Sequence, residues 1–288
     1  MATPNDSTPS GNVYFNDSES GAEMARLLDQ DRLMTKGMGG LFSERSDLSG
    51  ITSILDIGCG PGGWVQEVAY AYPEIEVVGI DISQAMIDHA GTQAQLQGLA
   101  NAHFLVMDAL QPLDFPDNSF DLVNARFMTF LPAAAWSKLL QECARITRSG
   151  GTIRLTETEW WCFSNSPALE TLNEMITRAL KKQGSFSQTG RFTGVLPMLG
   201  DLLYDAGYVN IQHKAHVIDY SFGKEAYEGF RRDAAILFKL VQPYVVGMEV
   251  ATQGEVDQVY EQMLLDMMKD DFRGLMFLLT VWGERPNS

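Results

Sequence analysis

Short apolar runs and longer amphipathic stretches alternate along the middle of the chain. "SILDIG" is followed by "GGWVQEVAYAYP", "EVVGIDIS" by "QAMIDHAGTQAQLQG", and "AHFLVMDA" and "FDLVNARFMTF" by "AAAWSKLLQECARITRSGG" and "TIRLTETEW". The runs are almost continuously apolar, as strands covered on both faces must be, and the stretches between them have helical spacing. The pattern predicts a doubly wound, mostly parallel α/β sheet of seven strands. Upstream, residues 19–36 read as an amphipathic helix with Met24, Leu27, Leu28 and Leu33 near one face. Beyond Trp161 helical signals dominate, interrupted by the strand-like "VNIQHKAHVIDYSF" and closed by "GLMFLLTVWGER".

This order defines one Rossmann-like domain over residues 19–222 and 272–288, with a helical insertion at 223–271 covering a pocket. Residues 1–18, polar and small, are expected to be a disordered tail. The opening "MATPNDSTPSGNVYF" has neither the basic nor the apolar region of a secretory leader, and no run approaches the ~20 apolar residues of a membrane span. An apolar fraction of 45% over 288 residues is enough for a sizeable core. The net charge of -16, with basic residues scattered, argues against nucleic acid as a partner. Cys59, Cys143 and Cys162 are too few and too dispersed for a disulfide framework or a zinc cluster, and four histidines with no H-x-x-x-H or H-E-x-x-H spacing give no metal site. A cytoplasmic protein with a small-molecule substrate is expected; oligomeric state is left open.

Gly58-Cys59-Gly60-Pro61-Gly62-Gly63 satisfies G-x-G-x-x-G, the dinucleotide fingerprint. In an open parallel sheet the ligand lies beyond the carboxyl ends of the strands. Here those ends carry Asp56, Asp81 and Asp108. Three carboxylates suit a pyrophosphate poorly, because phosphate seeks backbone N–H groups and positive charge. They suit a phosphate-free ligand with a cationic centre, an amine and a ribose diol, such as S-adenosylmethionine. Asp81, about 20 residues past the loop, can accept from both ribose hydroxyls. Asp108 can accept from the adenine amine, and Asp56 can organise the loop and face the methionine ammonium.

"ILDIGCGPGGW", "VVGIDIS", "FLVMDAL", "FPDNSFDLVNARFMTFL" and "LLQECARITRSGGTIRLTE" occur in order over about residues 50–160. Together they resemble the successive motifs of class I S-adenosylmethionine-dependent methyltransferases, in the subgroup of ubiquinone/menaquinone-type and natural-product enzymes. The resemblance implies that Gly58 and Gly60 admit the methionine part, that Ile82 and Met86 pack on adenine, and that Ala109 lies beside it. It also implies that Asn124 and Arg126 border the methionine portion, with Arg126 facing the cofactor carboxylate or the substrate. Tyr14 and Gln30 fall in a stretch resembling helices that close over the cofactor. S-adenosylhomocysteine is the implied product, with no metal.

Methyl transfer from a sulfonium is an in-line displacement whose electrophile belongs to the cofactor, so no single catalytic motif is expected. Glu157 and Glu159 share a strand face after the fifth strand and are candidates for a base or a cation-stabilising group, with Trp160 and Trp161 as a wall. Tyr220 and Tyr227 are candidate substrate contacts, whereas His213 and His216 fall mid-strand. The expected reaction is methylation, at carbon or oxygen, of a small apolar or aromatic molecule. Two alternatives are a nicotinamide-dependent oxidoreductase and a cofactor-binding relative that no longer transfers methyl groups, a cyclase or a regulatory module.

Overall fold

A computed structural model describes residues 21–159 and 163–287; Tyr14, Trp160 and Trp161 lie outside the described residues. The chain runs α1 (Gly21–Gly37), β1 (Ser53–Ile57), α2 (Gly63–Ala71), β2 (Glu76–Asp81), α3 (Gln84–Gln97), β3 (Ala102–Val106) and β4 (Phe120–Arg126). It continues with α4 (Ala133–Ile146), β5 (Thr147–Thr158), β6 (Phe163–Ser164), α5 (Pro167–Gln183), α6 (Leu199–Asp205) and β7 (Val209–Asp219). Then come α7 (Tyr227–Leu240), α8 (Gln242–Gly247), α9 (Gln253–Met267) and β8 (Gly274–Glu284).

One sheet is ordered β3-β2-β1-β4-β5-β8, with β7 on the outer side of β8. The pairs from β3 to β5 are parallel, and β8 runs antiparallel to β5 and β7. Among the described residues there are eight strands rather than seven. The extra one is the two-residue β6, which continues the β5 side of β8 through Phe163↔Leu275. The central strands are apolar because both faces are covered: Ile54, Leu55 and Ile57 of β1 are fully buried.

Local chemistry sets the helix ends. Ser83 caps α3 by accepting from the Met86 amide, and Gly98 ends it in the left-handed region at φ 70°. Ser166 and Pro167 open α5, and Thr252 with Glu255 forms a reciprocal capping box on α9. Residues between β7 and β8 form α7, α8 and α9, which share a core with α1 and α5 through Met34, Leu172, Phe230, Phe238 and Met263.

The side of α1 that is fully buried carries charge as well as apolar groups. Arg26 makes a bidentate contact to Glu23 at 2.7 Å and reaches Asp233 of α7 at 2.8 Å, all three side chains being almost completely enclosed. Gly229 of α7 completes this contact: a Cβ there would stand 2.9 Å from a Leu33 methyl group.

Candidate active site

At the carboxyl edge of the parallel strands, the turn after β1 holds Gly58 at φ 68°, Gly60 at φ 53° and Gly62 at φ 80°. These are backbone conformations that side chains resist. A Cβ on Gly62 would collide with the Phe104 ring at 2.6 Å, and one on Gly58 would crowd Met128 Sδ at 3.1 Å. The turn therefore stays low against the sheet and leaves its upper surface open to a ligand.

A single cavity runs from this turn to the underside of α1 and α7. Asp56, Gly58, Gly60, Asp81, Ile82, Met86, Asp108, Ala109, Arg126 and Gln30, all expected site residues, line it. Asp81 fixes the loop: its carboxylate accepts from the Gly60 amide at 3.0 Å and from the Ser83 amide at 2.9 Å. Burial nevertheless raises its pKa above the ordinary carboxylate value. Asp108 accepts from the Leu110 amide at 2.9 Å, which orients its second oxygen independently of that turn.

Asp56 is nearly enclosed and accepts from Asn124 Nδ2 at 2.7 Å. Burial pushes its carboxyl up to about 6, against the lowering influence of Arg126, Asn124 and Arg154. Asn124 lies in the sheet beneath the cavity rather than on its wall; its Oδ1 accepts from Arg154 Nη1 at 2.8 Å, and Arg154 pairs with Glu44 at 2.6 Å. A buried polar chain thus connects Asp56 to the loop after α1. Burial and the neighbouring Asp56 and Asp81 carboxylates raise the Cys59 thiol pKa, which disfavours the thiolate form.

Four expected site residues are corrected by their surroundings. Glu157 and Glu159 face away from the cavity, because strand alternation turns Thr158, lying between them, toward it. Glu157 is fully buried and accepts from the Met128 amide at 2.7 Å, and its pKa is held well above the usual range by burial. Glu159 anchors the segment 193–196, accepting from the Thr193 amide and hydroxyl at 2.6 Å and from the Gly194 and Leu196 amides. Tyr220 stacks face to face on Phe230 at 4.8 Å in the helical core, and Gly274 is the residue small enough to lie against its ring. Tyr227 donates from its hydroxyl to the Met267 carbonyl at 2.7 Å. Neither tyrosine lines the cavity. His216 is buried beside Thr280 at 3.2 Å, and burial lowers its pKa.

The cavity also has apolar walls, of which helical periodicity singles out only Leu27. Leu27 and Met34 come from α1, Phe127 and Phe130 from the loop after β4, Leu237 from α7 and Met276 from β8. Phe127 holds φ 59°, an unusual conformation for an aromatic residue, and sits between Arg126 and Met128 on the rim. Asp31 of α1 pairs with Arg126 at 2.6 Å, and the guanidinium lies 5.4 Å over the Trp64 ring. Asp31 was not singled out from the sequence, because its pairing with Arg126 is a contact between α1 and the distant end of β4.

Comparison with known proteins agrees with this geometry. Residues 54–151 match a methyltransferase-domain family. Demethylmenaquinone methyltransferase of Geobacillus kaustophilus (strain HTA426) is 27% identical over 190 residues, covering 62% of this chain and 78% of that protein. Aklanonic acid methyltransferase DauC of Streptomyces sp. (strain C5) is 40% identical over 111 residues, covering 36% of this chain and 46% of that one. The structure of Haemonchus contortus phosphoethanolamine N-methyltransferase 2 superposes with a TM-score of 0.56 at 16% identity, covering 96% of this chain and 61% of that one, and so shares the fold. With its glycine turn and three rim carboxylates, the span 54–151 is an S-adenosylmethionine-dependent methyltransferase domain similar to those of class I.

Proposed function

We propose that the enzyme methylates a small, apolar or aromatic acceptor at carbon or oxygen, within the cytoplasm. The observation that carries this reading is the two-part cavity. Its floor is the glycine turn with Asp56, Asp81 and Asp108, and its roof is Leu27, Met34, Phe127, Phe130, Leu237 and Met276. The floor fits the cofactor on the structure's own terms. Gly58 and Gly60 put bare backbone on the cavity wall, and the carboxylates have acceptor capacity for a diol, an amine and a cation.

When bound, S-adenosylmethionine supplies an electrophilic methyl group. The protein's work is then to hold, align and exclude water. Asp81 would hold the ribose hydroxyls, Asp108 the adenine amine, and Ile82 and Met86 the adenine faces. Alignment of two bound partners is worth several kcal/mol, up to about 7–11 in the best intramolecular cases. The helices at 223–271 would contribute to the cover through Leu237. Among the described residues neither a histidine nor Glu157 or Glu159 lines the cavity; Glu157 Oε1 holds the Met128 amide and Glu159 holds the segment 193–196. That supports an acceptor whose reacting atom is already nucleophilic or carries an acidic proton, such as a hydroquinone, a phenol or an activated ring carbon. The quinone- and polyketide-directed names of the relatives agree in kind.

The test is incubation with methyl-labelled cofactor and a panel of naphthohydroquinones, polyketide acids and phenols, followed by mass spectrometry of the products. Label in an aromatic acceptor is expected. Label only in cationic or phosphorylated acceptors, or tight binding of a nicotinamide dinucleotide in place of the cofactor, would overturn the reading.

A further inference from the structure

The end of β4 and the loop after it line the cavity without a break from Arg126 to Leu131. The wall is built through an unfavourable conformation. Phe127 holds φ 59°, which an aromatic residue resists, and such a turn persists only where its surroundings over-determine it. It points the next two amides toward β5 rather than into solvent, and Met128 and Thr129 are both buried. Buried N–H groups need acceptors, and these two find the same side chain. Met128 N donates to Glu157 Oε1 at 2.7 Å, and the Thr129 amide also bonds the Glu157 carboxyl. On either side the loop is tied by Phe127 N to the Thr156 carbonyl and by Gln183 Nε2 to the Phe130 carbonyl, each at 3.0 Å. Between those ties the loop hangs on Glu157.

Glu157 is fully buried, and among the described residues it pairs with no cation and its Oε2 has no hydrogen-bond partner. A buried carboxyl is costly on a strand where an apolar residue would pack as well, and its polar contacts go to this loop. We propose that Glu157 is a positioning residue: by gathering the Met128 and Thr129 amides it fixes Phe127 in its left-handed turn and sets where the Phe127 and Phe130 rings stand on the cavity wall. That these rings face the acceptor rests on the function proposed above. Burial disfavours charge on Glu157, so one neutral carbonyl oxygen is enough for the task.

Amide hydrogen exchange, read residue by residue by NMR, tests the role. In the unmodified enzyme the Met128 and Thr129 amides are expected to exchange as slowly as those of β4, although they lie in a loop. Exchange at solvent-exposed rates would overturn the proposal without recourse to any variant. Glu157→Gln keeps the accepting oxygen, whereas Glu157→Leu keeps a similar volume without it. The Leu variant is expected to speed exchange at these two amides by about tenfold or more and to leave β1 and β2 within about twofold, while the Gln variant stays within about threefold of the parent. With 1,4-naphthohydroquinone as acceptor probe, the Leu variant is expected to raise KM by about tenfold while its Kd for S-adenosylhomocysteine stays within about twofold. The proposal is overturned if the Leu variant keeps slow exchange, if the Gln variant loses as much, if the whole sheet loosens alike, or if KM is unchanged while the two amides loosen. An unmodified enzyme that leaves this probe unmethylated would count against the acceptor reading, and the exchange rates would still decide the role of Glu157.

Discussion

Asp56→Asn exchanges a nearly enclosed carboxyl for an isosteric amide, and its effect on stability has a definite sign. The Asp56 carboxyl is 3% exposed and titrates at about 6, against an ordinary value of 3.8. A folded-state value above the unfolded one means that the unfolded chain loses its proton first as pH rises. The stability tied to the protonated form is then complete below about pH 4 and lost as pH climbs through 6. Two pH units at about 1.4 kcal/mol each give a cost near 3 kcal/mol above pH 7, falling to about 1 kcal/mol at pH 4.5. An amide at position 56 escapes that cost and still accepts from Asn124. The variant is therefore expected to be about 2 kcal/mol more favoured, relative to the parent, at pH 8 than at pH 4.5. Urea unfolding at the two pH values measures the difference directly. A gap independent of pH, or one that reverses so that the parent gains toward pH 8, would show that Arg126 and Arg154 outweigh burial. The same substitution removes a charge from the cofactor floor, so stability gained at pH 8 should come with weaker cofactor binding.

Other perturbations separate the roles of individual side chains. Asp81→Ala should weaken S-adenosylhomocysteine by about 1–3 kcal/mol, the cost of unpaired hydroxyl contacts, and an unchanged Kd would reassign the ribose site. Arg26→Met leaves Glu23 and Asp233 buried without their cation and should destabilise by about 3–5 kcal/mol in urea; a loss under 1 kcal/mol would mean that the α1–α7 contact relaxes freely. Glu159→Ala should lower Tm through the orphaned amides of 193–196 while leaving cofactor affinity intact, and a specific loss of turnover with unchanged Tm would restore it as a chemical group.

The glycine-turn side of the cavity was legible because it is made of local constraints. Buried parallel strands read as apolar runs, the turn after β1 needs glycine, and the polar residue ending each strand lies on the ligand edge. Asp56, Asp81 and Asp108 therefore follow from position alone. What was not legible depends on contacts made across the fold. Glu23 and Arg26 look like the solvent face of α1 until Asp233, more than 200 residues later, closes over them. Glu157 and Glu159 share a strand face, as alternation requires, but which face looks into the cavity is decided by where the loop after β4 and segment 193–196 pack. Tyr220 follows β7 at the correct edge, yet the absence of a side chain at Gly274 lets its ring turn into the helical core against Phe230.

The two halves of the cavity come from different parts of the chain. The glycine turn and the carboxylates lie within residues 54–151, the span shared with the methyltransferase domain, whereas Leu27, Met34, Leu237 and Met276 come from before and after it. Under the proposed function, changes at the apolar positions of the flanking helices reshape the acceptor pocket and leave the glycine turn untouched. Besides Phe127 and Phe130, the positions to vary for a new acceptor are Leu27, Met34, Leu237 and Met276, all outside the shared span.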